Sequence, residues 1–207
     1  TMTLREGVKF HNGETMTAAD VHASVMRWAE ISGVGQQLFG VVDEFVEVDD
    51  LTVEFRLREP YGSLLIALSH NSQACIIHPK SVVDTVGTNP FPDDSYVIGT
   101  GPYMLSERQA DAYIRLDRFE DYTGRDEPTN GYAGAKHAWV DTIEFLPVPD
   151  QAARVAGLQA GDYEIALEVS NDQYELLSGA PGIVAEIRQP SFVDVFYLNW
   201  RSEIMGN

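Results

Sequence analysis

The side chains that most often carry chemistry are sparse in this sequence and lack metal-binding or catalytic spacing. The five histidines are His11, His22, His70, His78 and His137. None of them has the HxxxH or HExxH spacing that places two imidazoles on one helix face. The single cysteine, Cys75, supplies no thiol pair that would complete a zinc site. We therefore expect isolated surface or core histidines, and neither a bound metal nor another cofactor.

Glycine and serine motifs that bind phosphate or activate a nucleophile are also missing from the sequence. The stretch from Gly99 to Pro102 reads GTGP, which fits neither GxGxxG nor GxxxxGK, and extended residues follow it. No GxSxG elbow occurs. This stretch therefore predicts a stiffened turn. An enzyme has little support from the motifs.

Size and charge narrow the classes of protein further. The chain has 207 residues, is 44% apolar and carries a net charge of −18. A nucleic-acid-binding face needs clustered Lys and Arg, so this charge argues against that class, and we interpret it as a solvated surface. No run approaches the roughly 18 apolar residues of a membrane span. The sequence also begins without the basic and apolar regions of a signal peptide.

The first half of the chain is predicted to alternate between helices and strands. Thr17 is a helix N-cap, with Asp20 placed to complete a short capping box, and Gly33 and Gly35 are expected to end that helix. The apolar stripe of the helix is Val21, Val25, Trp28 and Ala29. The later predictions are strands at Val41–Val48 and Leu51–Leu57, a helix at Tyr61–Ser69 with Leu64, Leu65 and Leu68 inward, and a helix at Lys80–Val86.

The second half begins with a predicted β-hairpin within Ile98–Gly124, whose strands are joined by Ser106–Asp111. A strand at Val140–Val148 follows, and then a helix capped by Asp150 and stopped by Gly161. With a strand at Tyr163–Leu167, this order predicts a βαβ unit with a parallel strand pair. The remaining predictions are a short helix at Asp172–Leu177 and strands at Gly182–Ile187 and Phe192–Trp200.

Four stretches, in order along almost all of the chain, carry a resemblance to a known family. They are Leu4–Val25 (LREGVKFHNGETMTAADVHASV), Ile98–Gly124 (with GTGPYMLSE), Val140–Ala166 (VDTIEFLPVPDQAARVAGLQAGDYEIA) and Tyr197–Trp200 (YLNW). Together they resemble the family 5 extracellular solute-binding proteins, the large peptide-, nickel- and opine-binding receptors of ABC importers. Tyr163 and Glu164 depart from the family's acidic-then-Asp pattern, and Trp200 stands where Thr is common. Because of these departures, the resemblance does not identify the ligand.

The resemblance implies a fold class and a domain arrangement. The fold expected from it is α/β with mixed α+β character, a lobe of the type II periplasmic-binding-protein kind. In this lobe, helices flank a mixed sheet and a smaller α/β subdomain is attached. Residues 1–97 would form the small subdomain and residues 98–207 the central sheet portion. The family's second lobe would be absent from this chain.

The resemblance also places candidate ligand-binding residues. The stretch before Pro79 runs along the ligand cleft in the family, which makes Ser72, Gln73, Ala74 and Cys75 candidates, although a connecting loop with a buried strand explains it equally well. The strand Phe192–Trp200 would form the cleft floor, which adds Asp194 and Phe196, and which face of that strand meets the ligand stays open. Because the family includes nickel carriers, His70 and His78 beside the cleft are minor candidates to bind a nickel complex.

Three functions are compatible with these expectations. The favoured one is the substrate-binding component of an ABC transporter, which captures a small solute outside the inner membrane and delivers it to the permease. A peptide is the favoured solute, and a nickel complex or an opine are alternatives. The location would be periplasmic, or extracellular and membrane-anchored in a Gram-positive cell. The other readings are a hydrolase that uses carboxylates and histidines of the same cleft, and a ligand-sensing domain. A lone lobe with an exposed apolar cleft face would also tend to form dimers.

Overall fold

The computed structural model describes residues 1–131 and 133–187, and the chain forms two compact units, Thr1–Pro147 and Val148–Asn207. The strands in the described residues are β1 (Met2–Thr3), β2 (Val42–Asp49), β3 (Thr52–Leu57), β4 (Tyr103–Gln109), β5 (Tyr113–Arg118) and β6 (Thr142–Phe145). The α-helices there are α1 (Ala18–Ile31), α2 (Gly33–Phe39), α3 (Leu64–Leu68), α4 (Lys80–Val86), α5 (Gln151–Ala160) and α6 (Tyr174–Ser178). Asp94–Tyr96 and Asn171–Gln173 form single 3₁₀ turns. The predicted α/β fold class, with helices and sheets, is confirmed. The expected mixed sheet is wrong for the described residues, in which every strand pair is antiparallel.

Helix α1 is the central element of the first unit. Its N-terminus is fixed by the Asp20 carboxylate, which accepts hydrogen bonds from the Thr17 backbone N–H and hydroxyl at 2.8 and 2.9 Å. The predicted stripe is buried and packs on the first sheet, in a core that consists of Ala18, Val21, Val25, Trp28, Leu38, Val42, Phe45, Val53 and Ala67. The predicted N-cap and apolar face of this helix are therefore confirmed.

The first sheet has the order β1-β3-β2, and every strand pair in it is antiparallel. Phe45 of β2 lies opposite Phe55 of β3, and their rings stack at 4.2 Å between centroids. Phe45 and Val53 are buried, whereas Arg56 is exposed. The strands predicted at Val41–Val48 and Leu51–Leu57 are therefore confirmed as β2 and β3.

The second sheet has the order β4-β5-β6 and is also antiparallel throughout. The predicted hairpin is confirmed, but its turn lies later than expected, since β4 continues to Gln109. Asp111 provides the turn with a positive φ of 59°, a conformation that Asp tolerates better than most residues. A register shift between Leu105 and Glu107 lengthens β4 by a bulge, which the alternation pattern did not reveal.

Other expectations about secondary structure were wrong. Helix α1 ends at Ile31, close to the expected point, but Gly33 and Gly35 do not stop it, because they lie within α2, a second helix that begins directly after Ser32. Leu65 points outward on α3 with 70% of its surface exposed. Neither Tyr163–Leu167 nor Gly182–Ile187 is a strand, so the described residues contain no parallel βαβ pair. A strand needs a neighbour for its backbone hydrogen bonds, and neither stretch has one among the residues that the structure describes.

The second unit contains α5, α6 and the segments around them. Asp150 caps α5 by accepting the Ala153 backbone N–H at 2.7 Å, and Gly161 ends the helix in the left-handed conformation, both as predicted. The Arg154 guanidinium donates to the carbonyls of Val148 and Glu168. Arg154 therefore joins the two ends of the segment that contains α5.

Candidate functional site

The candidate site is the segment from His70 to Pro79, which connects α3 to α4 in the first unit. Ser72, Gln73 and Ala74 are exposed in it, and Cys75 is half-buried. These four predicted residues therefore lie together on one irregular stretch. The other two candidates, Asp194 and Phe196, lie outside the described residues.

Gln73 attaches this segment to α1 and α2. Its backbone carbonyl accepts the indole N–H of Trp28 at 2.8 Å. Its side-chain Oε1 accepts the Ser32 hydroxyl at 2.9 Å and the Val34 backbone N–H at 3.1 Å. Gln73 thus satisfies one of the unpaired N–H groups at the start of α2, that of Val34, from 39 positions away in sequence.

Cys75 and Ile77 face the interior of the first unit. Both side chains pack against the core that α1 and the first sheet form. Burial raises the pKa of the Cys75 thiol to about 11, so the neutral thiol is the form present near neutral pH. Between them, Ile76 is 58% exposed. The segment therefore has one side packed on the core and another that is open to solvent.

The C-terminal end of the segment is held by a buried serine. The Ser24 hydroxyl of α1 donates to the carbonyl of His78 at 3.1 Å and accepts its N–H at 2.9 Å. The His78 ring in turn donates from Nδ1 to the Ile98 carbonyl at 3.0 Å and packs edge-on against Phe91. Burial lowers the pKa of His78, which favours the neutral ring. His78 therefore links the candidate segment to the GTGP turn.

The GTGP turn itself is held by His11. Nδ1 of His11 accepts the Gly99 N–H at 3.2 Å, and Nε2 faces the Gly101 carbonyl at 3.1 Å. A carbonyl can only accept and a backbone N–H can only donate, so the ring must be neutral with its proton on Nε2. Burial lowers the pKa of His11, in agreement with that form. Neither histidine was recognised from the sequence as a support of this turn, because the contacts join residues 20 to 90 positions apart.

The described residues contain no group of three or more His, Cys, Asp or Glu side chains that could hold a metal ion. His70 Nδ1 lies 3.3 Å from the Ser72 hydroxyl, and His22 Nε2 lies 3.0 Å from the Phe45 carbonyl. In the same part of the chain, no helix is long and apolar enough to cross a membrane.

Comparison with known proteins identifies the family. The profile described as "Bacterial extracellular solute-binding proteins, family 5 Middle" matches residues 1–207, and the chain belongs to this family. The probable peptide ABC transporter periplasmic-binding protein y4tO of Sinorhizobium fredii is 31% identical over 199 residues, which cover 94% of this chain and 36% of that protein. The glutathione-binding protein GsiB of Pectobacterium atrosepticum is 29% identical over 182 residues, with coverages of 86% and 32%.

A solved structure shows the same fold. The periplasmic binding protein DppA from Helicobacter pylori, in complex with the peptide STSA, matches with a TM-score of 0.70 at 22% identity, over 88% of this chain and 37% of that one. The predicted likeness to the type II periplasmic binding proteins is therefore confirmed. The chain spans about a third of the length of the relatives that it matches.

Proposed function

We propose that this chain is part of the substrate-binding component of an ABC transporter, which captures a small peptide and delivers it to a permease in the inner membrane. The observation that carries the proposal is family membership along the whole chain. Two of the relatives are a probable peptide-binding protein and a glutathione-binding protein, which favours a peptide-like solute. Opines and nickel complexes are the alternative solutes.

The ligand would contact the exposed side of the segment that holds Ser72, Gln73, Ala74 and Cys75, together with Asp194 and Phe196. Support comes from the bonds that fix the segment while its outer side chains stay open to solvent. A binding surface of this kind loses little conformational entropy when it takes up a ligand. Because Cys75 packs inward, we expect its contribution to come from its backbone.

In this proposal residues 1–97 form the small subdomain and residues 98–207 the central sheet portion of the first lobe. The second lobe belongs to the remainder of the gene product, since the relatives are about three times as long. Closure of two lobes around the solute would exclude water from it. The protein would act in the periplasm, or outside a Gram-positive cell on a membrane anchor. We propose no enzymatic activity, so bound peptide should be released unchanged.

A thermal-shift screen tests this function. The full-length gene product and the chain 1–207 are each offered di- and tripeptides, glutathione, opines, and Ni²⁺ with histidine. We expect the peptides to raise the melting temperature of the full-length protein and to have little effect on the chain alone, which lacks half of the contacts. Equal shifts in both would contradict the two-lobed site. A response only to opines or nickel would replace the peptide as solute. Hydrolysis of the bound peptide would favour the hydrolase alternative.

Dimerisation of the isolated chain is part of the same proposal. Trp139 and Ile165 are 85% and 77% exposed, and a contiguous apolar face in the isolated chain would favour association. Sedimentation of the chain 1–207 at increasing concentration tests it. A monomer at all concentrations would contradict the dimer.

A further inference from the structure

The carboxamide of Gln73 is bonded at one end only. Its Oε1 accepts two hydrogen bonds, from Ser32 and from Val34, as described above. Its Nε2 makes no hydrogen bond to any of the residues that the structure describes, and Gln73 is exposed. Two N–H donors of this side chain are therefore available to a molecule outside the segment.

The contacts at the start of α2 fix which end of the carboxamide is free. The backbone N–H of Val34 can only donate, so the atom that faces it must be the oxygen. The Ser32 hydroxyl accepts the Gly35 N–H at 3.2 Å, which leaves its hydrogen to donate to Gln73 Oε1. A flipped carboxamide would oppose its NH₂ group to the Val34 N–H. The NH₂ group is therefore the end of the carboxamide that these contacts leave free.

The backbone of Gln73 is fixed as well as its side chain. The indole of Trp28, which is buried, donates to the Gln73 carbonyl at 2.8 Å. The residue is thus attached through both of its carbonyl oxygens to α1, Ser32 and α2. A donor that is held in this way loses little side-chain entropy on binding.

We propose that Ser32 and the first turn of α2 orient Gln73 so that its Nε2 donates a hydrogen bond to the solute, which makes this position selective for a carbonyl or carboxylate oxygen. This inference rests on the proposed function. Gln73 would be the residue that contacts the solute, and Ser32, which is buried, would act through it as a positioning residue. A solute that presents an N–H group at this point would be disfavoured, because two donors would meet.

The substitution Gln73→Glu distinguishes the role of the side-chain oxygen from the role of the NH₂ group. A carboxylate keeps an oxygen for Ser32 and Val34 but replaces the NH₂ donor with a second acceptor. Gln37→Glu is the matched control, because Gln37 is an exposed glutamine of α2 and the change in charge is the same. Binding of glutathione and of the tetrapeptide Ser-Thr-Ser-Ala would be measured by calorimetry on the full-length gene product. The melting temperature of each variant would be recorded in parallel.

We expect Gln73→Glu to keep its melting temperature and to weaken binding about tenfold or more, and Gln37→Glu to bind as the wild type does. Ser32→Ala removes one of the two bonds that orient the carboxamide, and we expect it to weaken binding about fivefold in the wild-type background but not in Gln73→Glu.

Unchanged binding by Gln73→Glu, or equal losses in Gln73→Glu and Gln37→Glu, would overturn the inference and leave the proposed function standing. Unchanged binding by Ser32→Ala would overturn the positioning role. A wild-type protein that binds none of the peptides in the thermal-shift screen would overturn both this inference and the proposal of a peptide solute.

Discussion

Removal of the Asp20 carboxylate should destabilise the first unit more than its position near a helix terminus would indicate. Besides the Thr17 contacts at the start of α1, Oδ1 of Asp20 accepts the backbone N–H of Lys80 at 2.7 Å, which is the first residue of α4. One buried side chain therefore satisfies the N-termini of two helices. A hydrogen bond to a charged group contributes roughly 1.5–3 kcal/mol. Because Asp20→Ala leaves two backbone N–H groups without this acceptor, we expect the free energy of unfolding to fall by about 3 kcal/mol.

Asp20→Asn provides the intermediate case. The amide has a single oxygen, which can accept from Thr17 or from Lys80 but leaves its NH₂ group opposed to the other N–H. We expect a loss of about half that of Asp20→Ala. Asp84→Asn is the matched control, since Asp84 is an exposed carboxylate of α4 that pairs with Lys80 four residues earlier, and such pairs contribute about 0.3–0.5 kcal/mol.

Urea unfolding followed by far-UV circular dichroism measures these differences. The expected order of stability is wild type, Asp84→Asn, Asp20→Asn and Asp20→Ala, with similar slopes for all four proteins. Equal losses for Asp20→Asn and Asp20→Ala would refute the assignment of the effect to separate N–H groups. A loss below about 0.5 kcal/mol for Asp20→Ala would refute the role of this carboxylate altogether.

Three further predictions concern close packing, the thiol and pH. Gly35→Ala should destabilise the protein by about 1–3 kcal/mol in urea unfolding, because the new Cβ would lie 2.6 Å from the Trp28 carbonyl oxygen; no loss would mean that α2 shifts away at little cost. Alkylation of Cys75 by iodoacetamide at pH 7.5 should be about a hundredfold slower in the folded than in the urea-unfolded protein, since its pKa is raised to about 11; equal rates would contradict its burial. His11 has a lowered pKa in the folded protein, so the unfolded chain binds a proton first, and the free energy of unfolding should fall as the pH drops below about 6.5. Urea unfolding at pH 7.5 and 5.5 should show a smaller decrease for His11→Gln than for the wild type, and an equal decrease would contradict this role of His11.

Local sequence patterns were sufficient for elements that are stabilised by their own neighbours. The start of α1 depends on Thr17 and Asp20, which are three residues apart, and the ends of α5 depend on Asp150 and Gly161. The hairpin of β4 and β5 is also a local structure. Its bulge was not predicted, because the alternation of apolar residues changes little when one residue is inserted.

Elements that depend on distant partners were predicted wrongly or missed. Helix α2 has two glycines, Gly33 and Gly35, in its first turn, and glycine is a poor helix former. Its N-terminus is completed by Gln73. Tyr163–Leu167 has the apolar content of a strand but no strand beside it in the described residues. For the candidate site, the resemblance placed candidate residues on the segment from His70 to Pro79, and their contact with a solute stays a prediction. The orientation of Gln73 depends on contacts with Ser32 and Trp28, which no sequence window contains.

Because Trp28 donates a hydrogen bond to the Gln73 carbonyl, its fluorescence should report on solute binding at the candidate site. The indole of Trp28 is buried against the core, whereas Trp139 is 85% exposed, so iodide in solution should quench the emission of Trp139 and leave that of Trp28. The emission of an indole responds to the dipole that its N–H contacts. A solute that moves Gln73 would therefore shift the wavelength of maximum emission of Trp28. Solute binding could then be followed without an attached dye.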